Sequence, residues 1–258
     1  MKVAIVTGAS SGLGREFVRE IKRKNLADFF YLIARREDRL NALKEELDGN
    51  AITIPADLTT EEGLEKVKAV LFENKPEVSF LVNASGYGKF GTWEEVSDKD
   101  VKGMIDLNVT ALVRMTNTVL PYMKKGAKIL QVASSSAFTA LPAFNVYAST
   151  KAFVLHYTKA LRYEIKSKGI SATAFCPCWI ETEFVSVAEK DDTVTKPKKI
   201  KPLLNAEKVV RKAVRSAIKG KPLCVTNWYA KMQHVMEKIL PYQISSKIWA
   251  KMLNKKIK

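Results

Sequence analysis

The chain has 258 residues, 47% hydrophobic and 27% charged, enough for one large α/β domain with a full core. Its formal charge of +16 favours anionic ligands, yet the basic residues are spread out, dense only at 196–201 and the C-terminus, and no nucleic-acid motif accompanies them. Nucleic acid is therefore excluded as a partner, and a solvated basic surface is the plainer account.

Three cysteines, Cys176, Cys178 and Cys224, have no framework spacing and fit a reducing compartment. His156 and His234 lie in unrelated helical patterns, so no metal site is expected. The first apolar run is too short for a signal peptide, and no stretch approaches a membrane span; a cytoplasmic protein is expected.

Val3 to Val6 is a short apolar run rich in β-branched residues and reads as a buried strand. Gly8, Ser10, Ser11, Gly12, Leu13 and Gly14 follow, and then Phe17, Val18 and Ile21 recur at helical spacing. A strand, a glycine turn and a helix start together form a cradle for a pyrophosphate, because missing Cβ atoms admit the ligand's approach and the helix N-terminus attracts anions.

Phe29–Ala34 is the second strand, and a helix carrying Leu40, Leu43 and Leu47 follows, closed by Gly49. Ala51–Pro55 is a third strand with Asp57-Leu58-Thr59 at its end, then a helix over 61–74 and a fourth strand, Val78–Val82. Asn83-Ala84-Ser85-Gly86 opens a glycine-rich loop. Helices occupy roughly 94–123, a strand 127–133, and a helix Val146–Ser167. Strands 170–176 and 222–226 complete a pattern of about seven. Strands this apolar need cover on both faces, so a doubly wound, Rossmann-type parallel sheet with right-handed crossovers is expected.

The polar segment 183–205 has no clear periodicity and follows a strand's carboxyl end, where ligands bind, so it reads as a loop closing over a substrate. From Trp228 to Leu240 apolar residues recur at helical spacing, Pro241 interrupts, and Ile248, Trp249, Met252 and Leu253 resume among lysines. This helical extension, 227–258, admits three readings: a helix over the substrate opening, a subunit contact, or a basic amphipathic segment on an acidic membrane. Packing is the commoner role of Met and aromatic residues in such a pattern.

Tyr147-Ala148-Ser149-Thr150-Lys151 on a helix, Ser134 thirteen residues before the tyrosine, and Asn108 in DLNVTA resemble the active site of the short-chain dehydrogenase/reductase family. With Thr7-Gly8-x-x-x-Gly12-x-Gly14, Asp57, the NASG turn and CPCWIET, the resemblance runs from residue 1 to about 185. It implies a single domain over 1–258, hydride exchange with a nicotinamide dinucleotide, and a homodimer or homotetramer through helices near 105–123 and 147–167.

It also implies Tyr147 as general acid/base, Ser134 polarising the carbonyl, Lys151 holding the nicotinamide ribose, and Asn108 supporting a proton relay. Residues four apart share a helix face, so a Lys151 ammonium beside Tyr147 is expected to lower the phenol from its usual pKa near ~10.

An acid after the second strand would select NAD; here Ala34 precedes Arg35 and Arg36, so NADP(H) is expected, with Arg35 the main 2′-phosphate contact, Ser10 a second and Arg36 a lesser one. By family analogy Asp57 and Leu58 meet the adenine, Asn83 and Ala84 after the fourth strand belong to the cofactor site, and Pro177, Ile180 and Thr182 meet the nicotinamide. Two departures stand out: NASG where the family has Asn-Asn-Ala-Gly, with the loss of a side-chain tie between strands expected, and Pro177-Cys178 where it has Pro-Gly.

Ser85, Gly86, Tyr87, Phe90, Thr139, Phe144, Trp179 and Phe184 are expected around the substrate. They are mostly apolar, and only Lys89 or a lysine of 183–205 is available as a carboxylate clamp. A steroid-like or acyl ketone fits better than a small hydroxy acid, whose dehydrogenase is the alternative. A non-catalytic NADP(H) sensor recruited by the basic tail is the opposing class; the four-residue set argues against it.

Overall fold

The computed structural model describes residues 1–189, 191–200 and 203–256, leaving out the side chain of Lys238. Lys190, Lys201 and Pro202 of the segment 183–205, and Ile257 and Lys258 of the tail, lie outside the described residues.

Among the described residues seven strands form one parallel sheet: β1 (Lys2–Thr7), β2 (Phe29–Ala34), β3 (Ala51–Pro55), β4 (Glu77–Asn83), β5 (Met123–Val132), β6 (Ser171–Cys176) and β7 (Leu223–Val225). Their order, β3-β2-β1-β4-β5-β6-β7, is that of a Rossmann-type fold, and it reverses between β1 and β4.

Period-two alternation divides the strand side chains between two cores. Ala4 and Val6 pack with Phe30 and Leu32 against α1 (Gly12–Arg23), α2 (Glu37–Glu45) and α8 (Ala206–Ile218). Val3 and Ile5 pack on the opposite face against α3 (Glu61–Asn74), α5 (Leu112–Val119) and the later turns of α6 (Asn145–Glu164). Phe17 of α1 meets Phe175 of β6 edge to face, with ring centroids 5.8 Å apart.

A third cluster lies past the carboxyl ends of the strands. It joins Phe90, Met104 of α4 (Asp98–Ile105), Phe144, Tyr147, Ala188 of α7 (Glu183–Ala188), Val194 and Ile200. The chain closes with α9 (Trp228–Ile239) and α10 (Tyr242–Lys251).

Helical structure over 94–123 is not continuous. Asp106–Ala111 is a π-helical turn between α4 and α5, and Leu120–Tyr122 is a 3₁₀ turn before β5, which begins four residues ahead of the expected start.

The polar segment after residue 183 is built rather than bare. It holds α7, and beyond it Val194, Thr195 and Ile200 are buried. Their anchor is Glu95, whose carboxylate accepts from the backbone N–H of Thr92 (2.9 Å) and Thr195 (2.8 Å), the Thr195 hydroxyl (3.1 Å) and Lys255 Nζ (3.1 Å). Composition hid this because the partners lie 100 and 160 residues away in sequence.

Burial pushes the Glu95 pKa up, but the donors from Thr92, Thr195 and Lys255 outweigh it and lower it from 4.5 to about 2. Glu95 thus contributes stability above pH 4.5 that is lost as pH falls toward 2, because the unfolded chain takes up the proton first. Glu95→Gln is expected to lower unfolding free energy by about 1–2 kcal/mol at pH 7. In denaturant titrations the gap from wild type should shrink steadily below pH 4.5.

Candidate active site

The carboxyl ends of the strands surround one cleft of about 1180 Å³, lined by the glycine turn, the ends of β2 to β6, and both C-terminal helices. The glycines shape its floor. Gly8 and Gly12 have φ of +69° and +49°, and a Cβ on Gly14 would lie 2.1 Å from the Gly8 carbonyl oxygen. Helix α1 therefore starts directly against the turn, with its first N–H groups toward the cleft. Gly8, Ser10, Ser11, Gly12, Leu13 and Gly14 all line it, as a pyrophosphate cradle requires.

β1 and β4 are tied at their ends by Thr7, whose Oγ1 accepts from the N–H groups of Ala84 (3.1 Å) and Ser85 (3.2 Å). The NASG departure therefore keeps a tie across the switch point, made with backbone donors. Asn83 is itself buried and does not line the cleft, contrary to its expected place beside the cofactor. Its Nδ2 donates to Gln131 Oε1 (2.9 Å) and Thr116 Oγ1 (3.0 Å), fastening β4 to β5 and α5.

Ser134 follows β5, and its Oγ accepts from the Ser136 N–H at 3.1 Å. Tyr147 and Lys151, one turn apart on α6, are 6% and 3% exposed, and Ser134 hydrogen-bonds the Tyr147 phenol. Lys151 Nζ donates to the Val132 carbonyl at 2.8 Å and lies 5.7 Å from the Tyr147 ring centroid.

Asn108 sits in the π-helical turn, a distortion common at functional sites. Its Oδ1 accepts from the Tyr87 N–H (3.0 Å), and its Nδ2 donates to Tyr87 O (2.9 Å) and Thr150 Oγ1 (3.1 Å). A Cβ on Gly86 would stand 2.8 Å from Asn108 Oδ1 and 3.3 Å from Lys151 Nζ, so the glycine keeps open the space between them. Asn108 is fully buried and reaches the cleft through its neighbours.

The expected lowering of the Tyr147 pKa does not occur in this arrangement. Burial raises the phenol, with the Ser134 hydrogen bond working against it, while burial lowers Lys151 from 10.5 to about 8. A unit charge about 6 Å away is worth roughly 3 kcal/mol at an effective dielectric near 20, or about two pKa units. Full burial shifts a group by about 3–5 units and wins. At pH 7 Lys151 keeps its proton, so the site holds a protonated phenol beside an ammonium.

The other expected residues fall into two groups. Arg35, Arg36, Asp57, Leu58, Ala84, Pro177, Ile180, Thr182, Trp179 and Phe184 line the cleft as expected, with Ser85, Gly86, Tyr87 and Lys89. Phe144, Phe90 and Thr139 do not. Phe144 is buried behind Tyr147, its ring 4.5 Å from the tyrosine and 4.2 Å from Phe90, so it buttresses the phenol instead of meeting substrate. Thr139 donates to Glu237 (2.8 Å) and accepts from Gln233 (2.6 Å) on α9.

Trp228, Tyr229, Gln233, Trp249 and Met252 also line the opening and were not legible in advance as pocket residues. The helical spacing of the tail was the signal, but it could not say which side faces the cleft. Of the three readings of the tail, packing over the opening is the one this lining displays.

The family profile described as short chain dehydrogenase matches residues 2–193. The chain therefore belongs to the short-chain dehydrogenase/reductase family and is an oxidoreductase. It is 31% identical over 223 residues to a very-long-chain 3-oxoacyl-CoA reductase of Rattus norvegicus, covering 83% of this chain and 67% of the relative. The chain thus spans about two thirds of that relative's length.

Among solved structures it resembles a short-chain dehydrogenase from Sphingobium yanoikuyae in complex with NADPH, at TM-score 0.77, 25% identity, and coverage of 93% and 97%. It also resembles a 3-ketoacyl-(acyl-carrier-protein) reductase from Brucella melitensis complexed with NADH, at TM-score 0.74, 27% identity, and coverage of 87% and 95%. A nicotinamide dinucleotide fits the cleft on the chain's own features, the glycine cradle above all; the choice between its two forms is not decided by these likenesses.

The contact between Gly14 and Gly8 yields a direct test. Gly14→Ala forces α1 off the turn and is expected to cost about 1–3 kcal/mol in denaturant unfolding. Dinucleotide affinity, read by fluorescence titration, should fall at least about tenfold as the N–H groups leave register.

Proposed function

We propose that the protein is an NADP(H)-dependent reductase of hydrophobic ketones, acting on 3-oxoacyl thioesters of long chain. The observation that carries the reading is the buried Tyr147–Lys151 pair with the half-buried Ser134, at the edge of an aromatic-walled cleft beside the glycine cradle. The names of the relatives, reductases of 3-oxoacyl-CoA and of 3-ketoacyl-acyl carrier protein, support the substrate class.

A nicotinamide dinucleotide held by the glycine turn and by Lys151 would supply the hydride that reaches the carbonyl carbon. The rest falls to the chain. Ser134 donates to the substrate oxygen, stabilising the negative charge that grows there. Tyr147 gives that oxygen its phenolic proton, and the phenolate left behind faces the Lys151 ammonium. One hydride and one proton turn the ketone into a secondary alcohol; in the reverse direction Tyr147 takes the proton. The Lys151–Asn108–Gly86 corner is where a replacement proton enters.

Selection of NADP(H) rests on charge. Ala34 removes the acid that would repel a 2′-phosphate, and Arg35 is 75% side-chain exposed at the rim, 3.8 Å from Asp57. Arg36 Nε and Nη2 both lie 3.3 Å from Ser10 Oγ, and its Nη1 is 2.9 Å from Glu183. On this reading Arg36, its guanidinium against Ser10, joins Arg35 in meeting the 2′-phosphate. Burial of apolar walls by Trp179, Phe184, Trp249 and Met252 favours an acyl chain over a small hydroxy acid.

Fluorescence titration is expected to give NADPH binding at least about tenfold tighter than NADH, and Arg36→Ala should weaken NADPH roughly 10–100-fold with NADH unchanged, as befits a charged hydrogen bond. Equal binding of both dinucleotides would overturn the cofactor assignment.

Tyr147→Phe is expected to keep NADPH binding and lose about 10²–10⁴-fold in kcat on a 3-oxoacyl-CoA. With wild type, kcat/KM should rise up to about fourfold per added methylene while the chain remains in contact with the wall. A sensor would turn over in neither form, and a hydroxy-acid enzyme would prefer the shortest ketoacid.

A further inference from the structure

Helix α9 is built inside out. Its inward positions are Ala230, Gln233, His234 and Glu237, and the last three are polar. Gln233 and Glu237 meet Thr139 at 2.6 and 2.8 Å, and the His234 ring lies 4.3 Å from that of Phe138. Its outward stripe is Trp228, Met232, Val235 and Ile239, spaced four, three and four apart, with Trp228 73% and Ile239 75% exposed. An ordinary surface helix does the reverse.

Helix α10 continues the surface. Trp249 turns in, its Nε1–H donating to the Pro142 carbonyl at 2.8 Å, whereas Tyr242, Ile244 and Ile248 are exposed. Lys247 and Lys251 share that outward side. Over residues 227–258 the sequence has seven lysines against one acid, Glu237, and Glu237 faces inward.

We propose that the outward faces of α9 and α10 seat the protein on an anionic lipid bilayer, with the apolar stripe in the headgroup boundary and the lysines over lipid phosphates. Three features select this occupant. Large apolar groups that a soluble surface would not gather on one face gain by entering the interface. Apart from Lys255, which pairs with Glu95, the excess of lysines attracts anionic headgroups and would repel a second copy of the same face.

The third is position: Trp228, Tyr229 and Met252 are exposed and also line the cleft. An apolar ligand could pass between the bilayer and the cleft without crossing water. Among the described residues no helix is long and apolar enough to cross a membrane, and the contact proposed for α9 and α10 lies in the interface. The inference concerns binding and stands whether or not the substrate is an acyl thioester.

The test is co-sedimentation of the full chain with vesicles of phosphatidylcholine alone or with 30 mol % phosphatidylglycerol, at about 0.1 M salt, where screening is partial. Binding is expected to the mixed vesicles and to be at least about tenfold weaker to phosphatidylcholine alone. Ile239→Ser/Ile244→Ser/Ile248→Ser should lower it at least about tenfold. Lys247→Gln/Lys251→Gln should lower it by roughly fivefold per lysine, with weaker salt dependence.

Unchanged circular dichroism and NADPH binding would confirm that both variants are folded. The proposal fails if wild type ignores both vesicles, or if the variants bind as wild type does. It fails equally if light scattering shows a dimer that only the isoleucine variant loses, which would make a second copy the occupant. Salt-sensitive binding to an acidic carrier protein with none to vesicles would assign the face to that partner instead.

Discussion

Helix α1 can start where it does only because Gly14 has no side chain: a Cβ there would meet the Gly8 carbonyl oxygen at 2.1 Å. That contact brings the helix N-terminus to the end of β1, at the point where the strand order reverses. The sheet then carries every other part of the site at its carboxyl edge. Thr7 holds β1 to the turn after β4, and Asn83, Gln131 and Thr116 form a closed polar triangle joining β4, β5 and α5. Each side-chain donor in that triangle has a partner and helps hold the strand ends in register, while the buried Asn83 Oδ1 accepts no hydrogen bond and carries a desolvation cost.

The chemistry depends on a balance of burial and charge. Packing Tyr147 against Phe144 and Phe184 supplies a rigid wall but raises the phenol's pKa, and the same exclusion of water lowers that of Lys151. A protonated phenol is the form a reductase needs before transfer. The ammonium matters most after it, when the phenolate appears in a medium where each charge counts for more than in water.

The carboxyl end of the chain serves two surfaces at once. The polar side of α9 anchors the 138–144 stretch, which leads into α6 and so into Tyr147, while its apolar side stays outward. Glu95 does the comparable work for the segment after α7, reaching Thr195 and Lys255. The walls of the cleft are thus set by contacts between regions remote in sequence.

Strand and helix order, the glycine cradle, the Ser134–Tyr147–Lys151 set and the arginines after β2 were readable from the chain itself, because each depends on local spacing: period two, period 3.6, or a turn of a few residues. The placing of Asn83 and Phe144 was not, nor the π-helical turn at Asn108, nor the network at Glu95. Nothing in a one-dimensional pattern says whether an aromatic residue faces substrate or stands behind the residue that does. The tail shows the same division. Its helical period was written in the sequence, but the period alone is symmetric between inward and outward. Only the tertiary structure, by offering Thr139 and Phe138 as partners, decided that the polar side of α9 turns in and the apolar side remains exposed.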